Sequence, residues 1–212
     1  MPIASPPRPR SHAFWLTLAI AAGALAACGG GSSPPSRPGD AVDVWVSDPG
    51  YHVTVFAANV GHARQMAFAP NGDLFIDNGD VTVLFDDDHS GASSDAERAT
   101  FATAPGLNHG LAFSPDAAYV YASSSTAVYR WRYTAGARRA AGAAEVVVSG
   151  IPDGGHVTRT LVFDSRGRLY VSIGSASNVD VDPATVQARG LIRRFAVPDP
   201  LPAGGVEFAT GE

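Results

Sequence analysis

The apolar and polar positions of this chain repeat in three stretches that share one pattern. Residues 66–76, 111–121 and 161–171 each consist of an apolar segment, a short polar segment rich in turn residues, and a second apolar segment. Proline presets φ at the start of a turn, and Asn-Gly or an equivalent Asp or Gly tolerates the positive φ that closes a hairpin. The pattern therefore predicts three β-hairpins.

The spacing of these hairpins predicts a larger repeat. Phe68, Phe113 and Phe163 hold equivalent positions and lie 45 and 50 residues apart, close to the roughly 40–50-residue period of a four-stranded propeller blade. A two-sheet sandwich is the alternative, but its turns recur every 8 to 12 residues or so without a longer period. We therefore predict an all-β fold, a β-propeller. Further strands are expected at residues 81–85, 127–133 and 145–149.

The number of blades is smaller than a closed ring needs. Residues 45–212 accommodate about three to four blades at this period, whereas propellers typically close with about four to eight. Residues 206–212 show the pattern of a strand that leads into another inner strand. We expect an incomplete propeller, a truncated chain, whose end strands leave unpaired edges.

The first 27 residues have the composition of an export signal. Arg8 and Arg10 form a positive segment, and residues 13–24 form an apolar one that is too short to span a bilayer core of roughly 30 Å. We therefore predict that residues 1–27 are a signal peptide.

Cys28 follows this segment and is the only cysteine in the chain. Residues 25–28 (LAAC) resemble the lipobox of bacterial lipoproteins, which implies acylation of Cys28 and a lipid anchor in the membrane. Residues 28–44 then form a Gly/Ser/Pro tether. Since Gly29 rather than Asp comes next, we expect an envelope protein outside the cytoplasm, on the periplasmic side of the outer membrane if the host has two membranes.

The charge balance narrows the choice of partners. Without the two arginines of the leader, 13 arginines face 20 carboxylates, which gives a net charge near −7 with histidines neutral. A chain of this charge is repelled by phosphate backbones, so we expect no nucleic-acid partner.

Polar residues precede each predicted inner strand. In a propeller, the N-terminal ends of the inner strands converge on the central channel. They occupy residues 62–65 (HARQ), 107–110 (LNHG) and 156–159 (HVTR). At the first two segments, ordinary solvated loop residues and ligand-facing residues are equally good interpretations. The third segment is more informative.

Residues 151–164 (IPDGGHVTRTLVFD), continuing through 168–178, resemble the soluble PQQ-dependent glucose/sorbosone dehydrogenase family. Residues 50–57 and 63–67 are similar to the opening of its sorbosone dehydrogenase branch, so the resemblance covers roughly residues 50–212. It implies a six-bladed propeller that binds pyrroloquinoline quinone (PQQ) and Ca²⁺ on its top face. The implied activity is oxidation of a sugar or aldehyde, with electrons passed to an external acceptor.

The resemblance also implies roles for four residues. His156, seven residues before Phe163, has the place of the general base, and an imidazole that titrates near neutrality suits that role. Arg159 would face the carboxylates of the cofactor or the developing charge of the quinol. Asn108 and His109 lie near the position of a substrate-contacting amide. The alternative for His156 is a hydrated turn histidine without a catalytic role.

The sequence departs from the family pattern in places that affect the site. Gly155 replaces an acidic residue of the glucose-oxidising branch, and residues 175–178 (SASN) replace a more polar loop. The Arg-Asn pair, the calcium loop and the later cofactor-binding Lys and Arg of the family all fall beyond Glu212. We therefore expect this chain alone to be unable to hold PQQ. The sequence does not determine which sugar or aldehyde is the substrate.

Other acidic segments are weaker candidates, and we predict no metal ligands within the chain. Residues 86–89 (DDDH) and 180–182 (DVD) lack the spacing of a calcium loop and are predicted to be solvated turns. Two alternative functions remain at this stage. One is a non-catalytic propeller module that binds a partner or saccharide at the envelope. The other is a propeller lactonase, which requires metal-binding carboxylates that the sequence does not display.

Overall fold

The computed structural model describes residues 37–39, 50–179 and 189–212. The leader, Cys28, most of the tether and residues 180–182 lie outside these ranges. The described chain is built from β-strands and one short 3₁₀ turn, Phe208–Thr210. Within it, no helix has the length and apolar character needed to cross a membrane.

The first sheet is a four-stranded antiparallel blade. Its strands are β1 (Gln65–Phe68), β2 (Leu74–Asp77), β3 (Val81–Leu84) and β4 (Arg98–Ala102), and they pair in chain order. β2 is buried along its whole length, as expected for an apolar strand with sheet neighbours on both sides. The first predicted hairpin and the strand predicted at residues 81–85 are confirmed.

The second sheet contains β5 (Leu107–Phe113), β6 (Tyr119–Ser124), β7 (Val128–Arg132) and β8 (Glu145–Ser149), again antiparallel and in order. A short strand near the end of the chain, Val206–Glu207, pairs in parallel with β8. Gly205 permits this approach because a β-carbon there would lie 2.6 Å from the carbonyl oxygen of Val146. The strand expected after residue 206 therefore forms, but it extends the second blade.

The third sheet has β9 (Leu161–Phe163), β10 (Arg168–Ile173) and β11 (Leu191–Ala196), with β10 in the middle. Val206–Glu207 is the last strand in chain order and becomes β12. Three successive sheets, each opening with one of the predicted hairpins, confirm the all-β propeller fold as an incomplete set of blades.

The hairpin turns use positive φ as predicted, although one of them does so without a glycine. Gly72 and Gly167 have φ of 94° and 76° in the first and third hairpins. In the second hairpin, Ala117 takes the positive angle, 54°. Asp116 supports that turn, since its carboxylate accepts hydrogen bonds from the Ala118 N–H at 3.1 Å and the Ser114 hydroxyl at 2.6 Å.

The blades pack through two apolar cores. One core joins the first two blades, and at its centre the ring of Phe75 meets Phe101, Phe113 and Tyr133 edge-on, with centroids 5.1 to 5.7 Å apart. The other core joins the second and third blades. Its fully buried residues are Val128, Val147, Val148, Leu169 and Val171.

A polar clasp also joins the second and third blades. The buried hydroxyl of Ser123 accepts a hydrogen bond from the Gly110 N–H and donates one to the carbonyl of Arg159, both at 2.9 Å. A β-carbon at Gly110 would collide with that carbonyl oxygen and with the Ser123 hydroxyl, and it would lie 2.8 Å from Leu161. The blades approach this closely only because residue 110 has no side chain.

We therefore predict that Gly110→Ala lowers the free energy of unfolding by about 3 kcal/mol, because the added methyl group has no space beside main-chain atoms. Urea unfolding followed by circular dichroism measures this loss. Gly167→Ala is the control, since φ is 76° there but the space is open, and only backbone strain of about 1 kcal/mol is expected. Equal losses in the two variants would contradict the close contact.

The strand directions define one edge of the blades. β1, β5 and β9 are the first strands of their sheets, and the residues that precede them lie at the edge where β2 ends, since the Arg64 N–H donates to the carbonyl of Asp77 at 3.0 Å. We call this the strand-start edge. Loop 85–97, between β3 and β4, leaves the first blade at the opposite edge.

Candidate functional site

The strand-start edge brings two of the three predicted polar segments into contact. The side-chain amide of Asn108 donates to the carbonyl of Val157 at 3.3 Å, and the Nε2 atom of His109 lies 3.2 Å from the hydroxyl of Thr160. The start of β5 in the second blade is thus bound to the segment that carries His156. Asn108 and His109 lie within β5, where the pairing with β6 shifts register between Leu107 and Leu111, and not before the strand as predicted.

His156 presents an exposed imidazole on a main chain that is held firmly. Its N–H donates to the carbonyl of Ser175 at 3.0 Å, and its own carbonyl accepts from Arg159 at 2.7 Å. Gly174 fits against the same turn, where a β-carbon would lie 2.5 Å from that of His156. The ring itself remains exposed to solvent. A histidine that served only to fill the core would have a buried ring.

Arg159 lies inside the fold, with no exposed surface. Its guanidinium donates to four carbonyl oxygens, those of Ser125, Pro152, His156 and Thr158, at 2.7 to 3.1 Å. Burial, with a smaller contribution from the nearby Arg189, lowers the pKa of the guanidinium. The predicted contact with cofactor carboxylates stays a prediction, and the described contacts give this side chain a different role.

Two buried polar atoms of segment 107–110, Asn108 Oδ1 and His109 Nδ1, have no hydrogen-bond partner among the described residues, and the same holds for Asp77 Oδ2 at the end of β2. Burial, and then the positive charge of Arg64, lowers the pKa of His109, so its imidazole is neutral at neutral pH. Buried polar atoms are normally paired with protein, water or ligand. Asn108 Oδ1 and His109 Nδ1 thus lack the partner that a buried polar atom normally has.

Asp77 lies beneath this pair at the end of β2. Burial raises the pKa of its carboxyl group, although the main-chain N–H groups of Gly79 and His109 act in the opposite direction. Its Oδ1 atom accepts from Gly79 at 3.1 Å. The carboxylate therefore lies near the main chain of His109.

Cationic side chains lie around the same edge. Arg64 is exposed, and Arg189 is partly exposed and donates to the carbonyl of Gly154 at 2.5 Å. Guanidinium groups bind carboxylates in a bidentate manner. Arg64 and Arg189 therefore suit a ligand that carries carboxylate groups.

The acidic loop on the opposite edge is satisfied by its own main chain. Asp86, Asp88 and Glu97 lie close enough together to contact one ion. Asp86 and Asp88, however, accept hydrogen bonds from the N–H of Ser90, and Glu97 accepts from those of Asp87, Asp88 and Ser94. This arrangement is typical of a self-capped turn, and topology separates it from His156.

A groove on the first blade is a poorer candidate for the functional site than the strand-start edge. A groove of about 380 Å³ lies along the outer side of the first blade. Its lining is almost entirely apolar and includes Phe56, Met66, Leu74 and Ile76. Since its polar lining is confined to Arg64 and Gln65, the groove offers little chemistry, and the strand-start edge is the better candidate.

Sequence reasoning missed several residues that support this edge, namely Ser123, Ser125, Gly174, Arg189 and Asp77. Two of them carry a signal in the sequence. Asp77 ends a strand that is otherwise apolar, and Ser123 continues another strand, β6, whose residues are all buried. A polar residue in such a position needs a hydrogen-bond partner. The identity of the partner is not readable from the sequence.

The fold and the edge define a class, that of β-propeller proteins with a polar site where the inner strands begin. A family model described as TrAA12-like matches residues 45–212. The chain belongs to this family, and the resemblance read from its sequence is confirmed.

Relatives and solved structures agree with that assignment. A pyrroloquinoline quinone-dependent sugar dehydrogenase of Hypocrea jecorina is 31% identical over 141 residues, which are 64% of this chain and 33% of the relative. The calcium structure of Trichoderma reesei Carbohydrate-Active Enzymes Family AA12 is 29% identical, with a TM-score of 0.65, over 84% of this chain and 44% of that one.

A third comparison supports the fold. The holo form of the pyranose dehydrogenase PQQ domain from Coprinopsis cinerea is 23% identical, with a TM-score of 0.64, and the match covers 74% of this chain and 39% of that one. In all three comparisons, the chain spans less than half the length of the protein that it matches.

Proposed function

We propose that this chain carries part of the active site of a PQQ-dependent sugar dehydrogenase, including its general base. The observation that carries the proposal is the exposed imidazole of His156, on a main chain fixed by Ser175 and Arg159, next to the amide of Asn108. The Hypocrea jecorina relative is named as PQQ-dependent and the Coprinopsis cinerea structure as a PQQ domain, and this edge corresponds to the face on which the family resemblance puts the cofactor.

In this proposal, His156 removes the proton of a sugar hydroxyl group. A ring nitrogen of His156 accepts the hydroxyl proton while hydride leaves the carbon that bears this hydroxyl group. The alcohol thereby loses two electrons and becomes a carbonyl. PQQ, when bound, supplies the oxidant that takes up the hydride. Asn108 Oδ1, and His109 Nδ1 in the tautomer with its proton on Nε2, lack a partner among the described residues, and in this proposal they become exposed and accept hydrogen bonds from hydroxyl groups of the sugar.

The positive charge of the edge serves the cofactor in this proposal. Arg64 and Arg189 would hold its carboxylates, since both extend into the region around His109 and Gly154. Ca²⁺ belongs to the proposal through family resemblance, because the one carboxylate cluster described here lies on the opposite edge. Residues outside this chain would complete the cofactor site.

The location of the protein is also part of the proposal. A signal peptide over residues 1–27 and a lipid on Cys28 would hold the protein at the envelope, outside the cytoplasm, with an external molecule as electron acceptor. Metabolic labelling with a fatty-acid analogue tests the anchor. Labelling of the wild type and none of Cys28→Ser is expected, and equal labelling would contradict it.

The activity is tested by dye reduction in the presence of aldoses or sorbosone, with and without added PQQ and Ca²⁺, on a protein in which this chain is joined to the residues that complete the cofactor site. We expect reduction of the dye only when sugar and PQQ are both present. Calorimetric titration with the same sugars is the companion measurement. Sugar binding without any PQQ-dependent turnover would favour the non-catalytic binding module, and neither binding nor turnover would contradict both functions.

A further inference from the structure

Arg159 has an unusual environment for a charged side chain. It is entirely buried, and its hydrogen bonds within the described residues go to main-chain carbonyls rather than to a carboxylate. Burying a charge costs free energy unless polar groups compensate for it. Here four carbonyl dipoles do so, and this arrangement requires the surrounding main chain to be held in one particular shape.

The four carbonyls belong to two pieces of chain, the turn between β6 and β7 and the connection between β8 and β9. Ser125 lies in the turn between β6 and β7 of the second blade, Pro152 lies in the segment that leaves that blade, and His156 and Thr158 lie in the turn before β9. A planar guanidinium has five donors in fixed directions. It therefore sets the position of the His156 turn relative to the second blade.

The same turn is fixed from its other side by the chain that follows β10. The N–H of His156 donates to Ser175, and Gly174 and Gly155 allow the two chains to touch, since a β-carbon on Gly155 would lie 2.6 Å from the Ser175 carbonyl oxygen. The main chain of His156 is thus bound on both sides while its ring faces solvent. Such a clamp fixes the ring without covering it.

We infer that Arg159 is a positioning residue, which holds the main chain of His156 so that the imidazole faces a substrate at the strand-start edge. The inference rests on the proposed function for the role of His156 as the base. It assigns Arg159 no contact with sugar or cofactor. The Arg159 guanidinium holds this main chain through charge-assisted hydrogen bonds to the carbonyls of His156 and Pro152, at 2.7 and 2.8 Å.

Lysine at position 159 is the informative substitution. It keeps the positive charge but offers a single ammonium group, which cannot reach carbonyls in two pieces of chain in the fixed directions of a guanidinium. In Arg159→Lys, we expect the ¹³Cε1–¹Hε1 signal of His156 to shift or broaden, because the ring samples several positions. With PQQ, Ca²⁺ and sugar present, we expect kcat to fall about 100-fold while KM changes by less than about threefold.

Arg130→Lys is the matched control. Arg130 is 2% exposed and pairs with Glu145 at 2.6 Å and Asp199 at 2.9 Å, at the edge of the second blade away from His156. Both variants should unfold at lower urea concentration than the wild type, but only Arg159→Lys should alter the His156 signal. An unchanged His156 signal in Arg159→Lys, or an equal change in Arg130→Lys, would overturn the inference.

Hydrogen exchange of the wild-type chain tests the same inference and does not require any variant to fold. Hydrogen exchange should show protection of the His156 amide, although the residue is exposed, because that amide is bonded to Ser175. Exchange at the rate of an unstructured loop would overturn the inference. A protected amide and a signal that responds to Arg159→Lys, without any PQQ-dependent turnover, would support the positioning role and contradict the proposed function.

Discussion

Replacement of His156 by alanine is expected to lower the kcat of PQQ-dependent sugar oxidation by about 10²–10⁴-fold, the usual contribution of a general base. The exposed ring makes few contacts that stabilise the fold, so the free energy of unfolding should change by less than about 0.5 kcal/mol. Steady-state dye reduction at saturating sugar and PQQ measures the loss of activity. Urea unfolding of the same samples shows that the fold is retained.

His89→Asn is the control for this experiment. His89 is also exposed, but it lies in the loop at the opposite edge of the first blade, with φ of 56°. Asparagine tolerates that backbone conformation, so the substitution removes an imidazole without new strain. Its kcat should equal that of the wild type. If His156→Ala retained wild-type kcat as well, His156 would not be the base.

The hairpins were predictable because their information is local. A turn such as Asn71-Gly72 between two apolar segments specifies a tight reversal without reference to the rest of the chain. The same holds for the strands at residues 81–85, 127–133 and 145–149. The 45- and 50-residue spacings then imply blades, because each hairpin must bury its apolar face against the next repeat.

The contacts between blades were not predictable in this way. The pairing of β12 with β8, the clasp through Ser123, and the carbonyls around Arg159 all join residues that are far apart in the sequence. Such contacts depend on how the sheets twist and pack, which the alternation of apolar and polar positions does not encode. The resemblance therefore identified Arg159 as a residue of interest but not its partners.

The candidate site lies between these two cases. His156 precedes the inner strand β9, and Asn108 and His109 lie at the start of the inner strand β5, so their arrangement at one edge follows from the propeller fold. The contacts of Asn108 with Val157 and of His109 with Thr160 confirm that the segments meet. The neutral state of His109 requires knowledge of burial and of Arg64, which only the three-dimensional structure provides.

Replacement of Phe75 by alanine is expected to lower the free energy of unfolding by about 4 kcal/mol, the loss typical of a large side chain removed from a packed core. Phe75 is fully buried in the first blade, and its ring contacts Phe113 and Tyr133 of the second blade edge-on. Its removal would leave a cavity between the two blades and would also remove the favourable aromatic pairs.

Urea unfolding followed by tryptophan fluorescence measures this loss, since Trp131 is buried in the same core. Phe68→Ala is the matched control, because Phe68 lies on the neighbouring strand and is 71% exposed. Its loss should change the free energy of unfolding by less than about 0.5 kcal/mol. Similar losses in the two variants would mean that Phe75 does not hold the blades together. A large loss for Phe75→Ala alone, with an unchanged dependence on urea concentration, would show that the first two blades unfold as one cooperative unit around this ring.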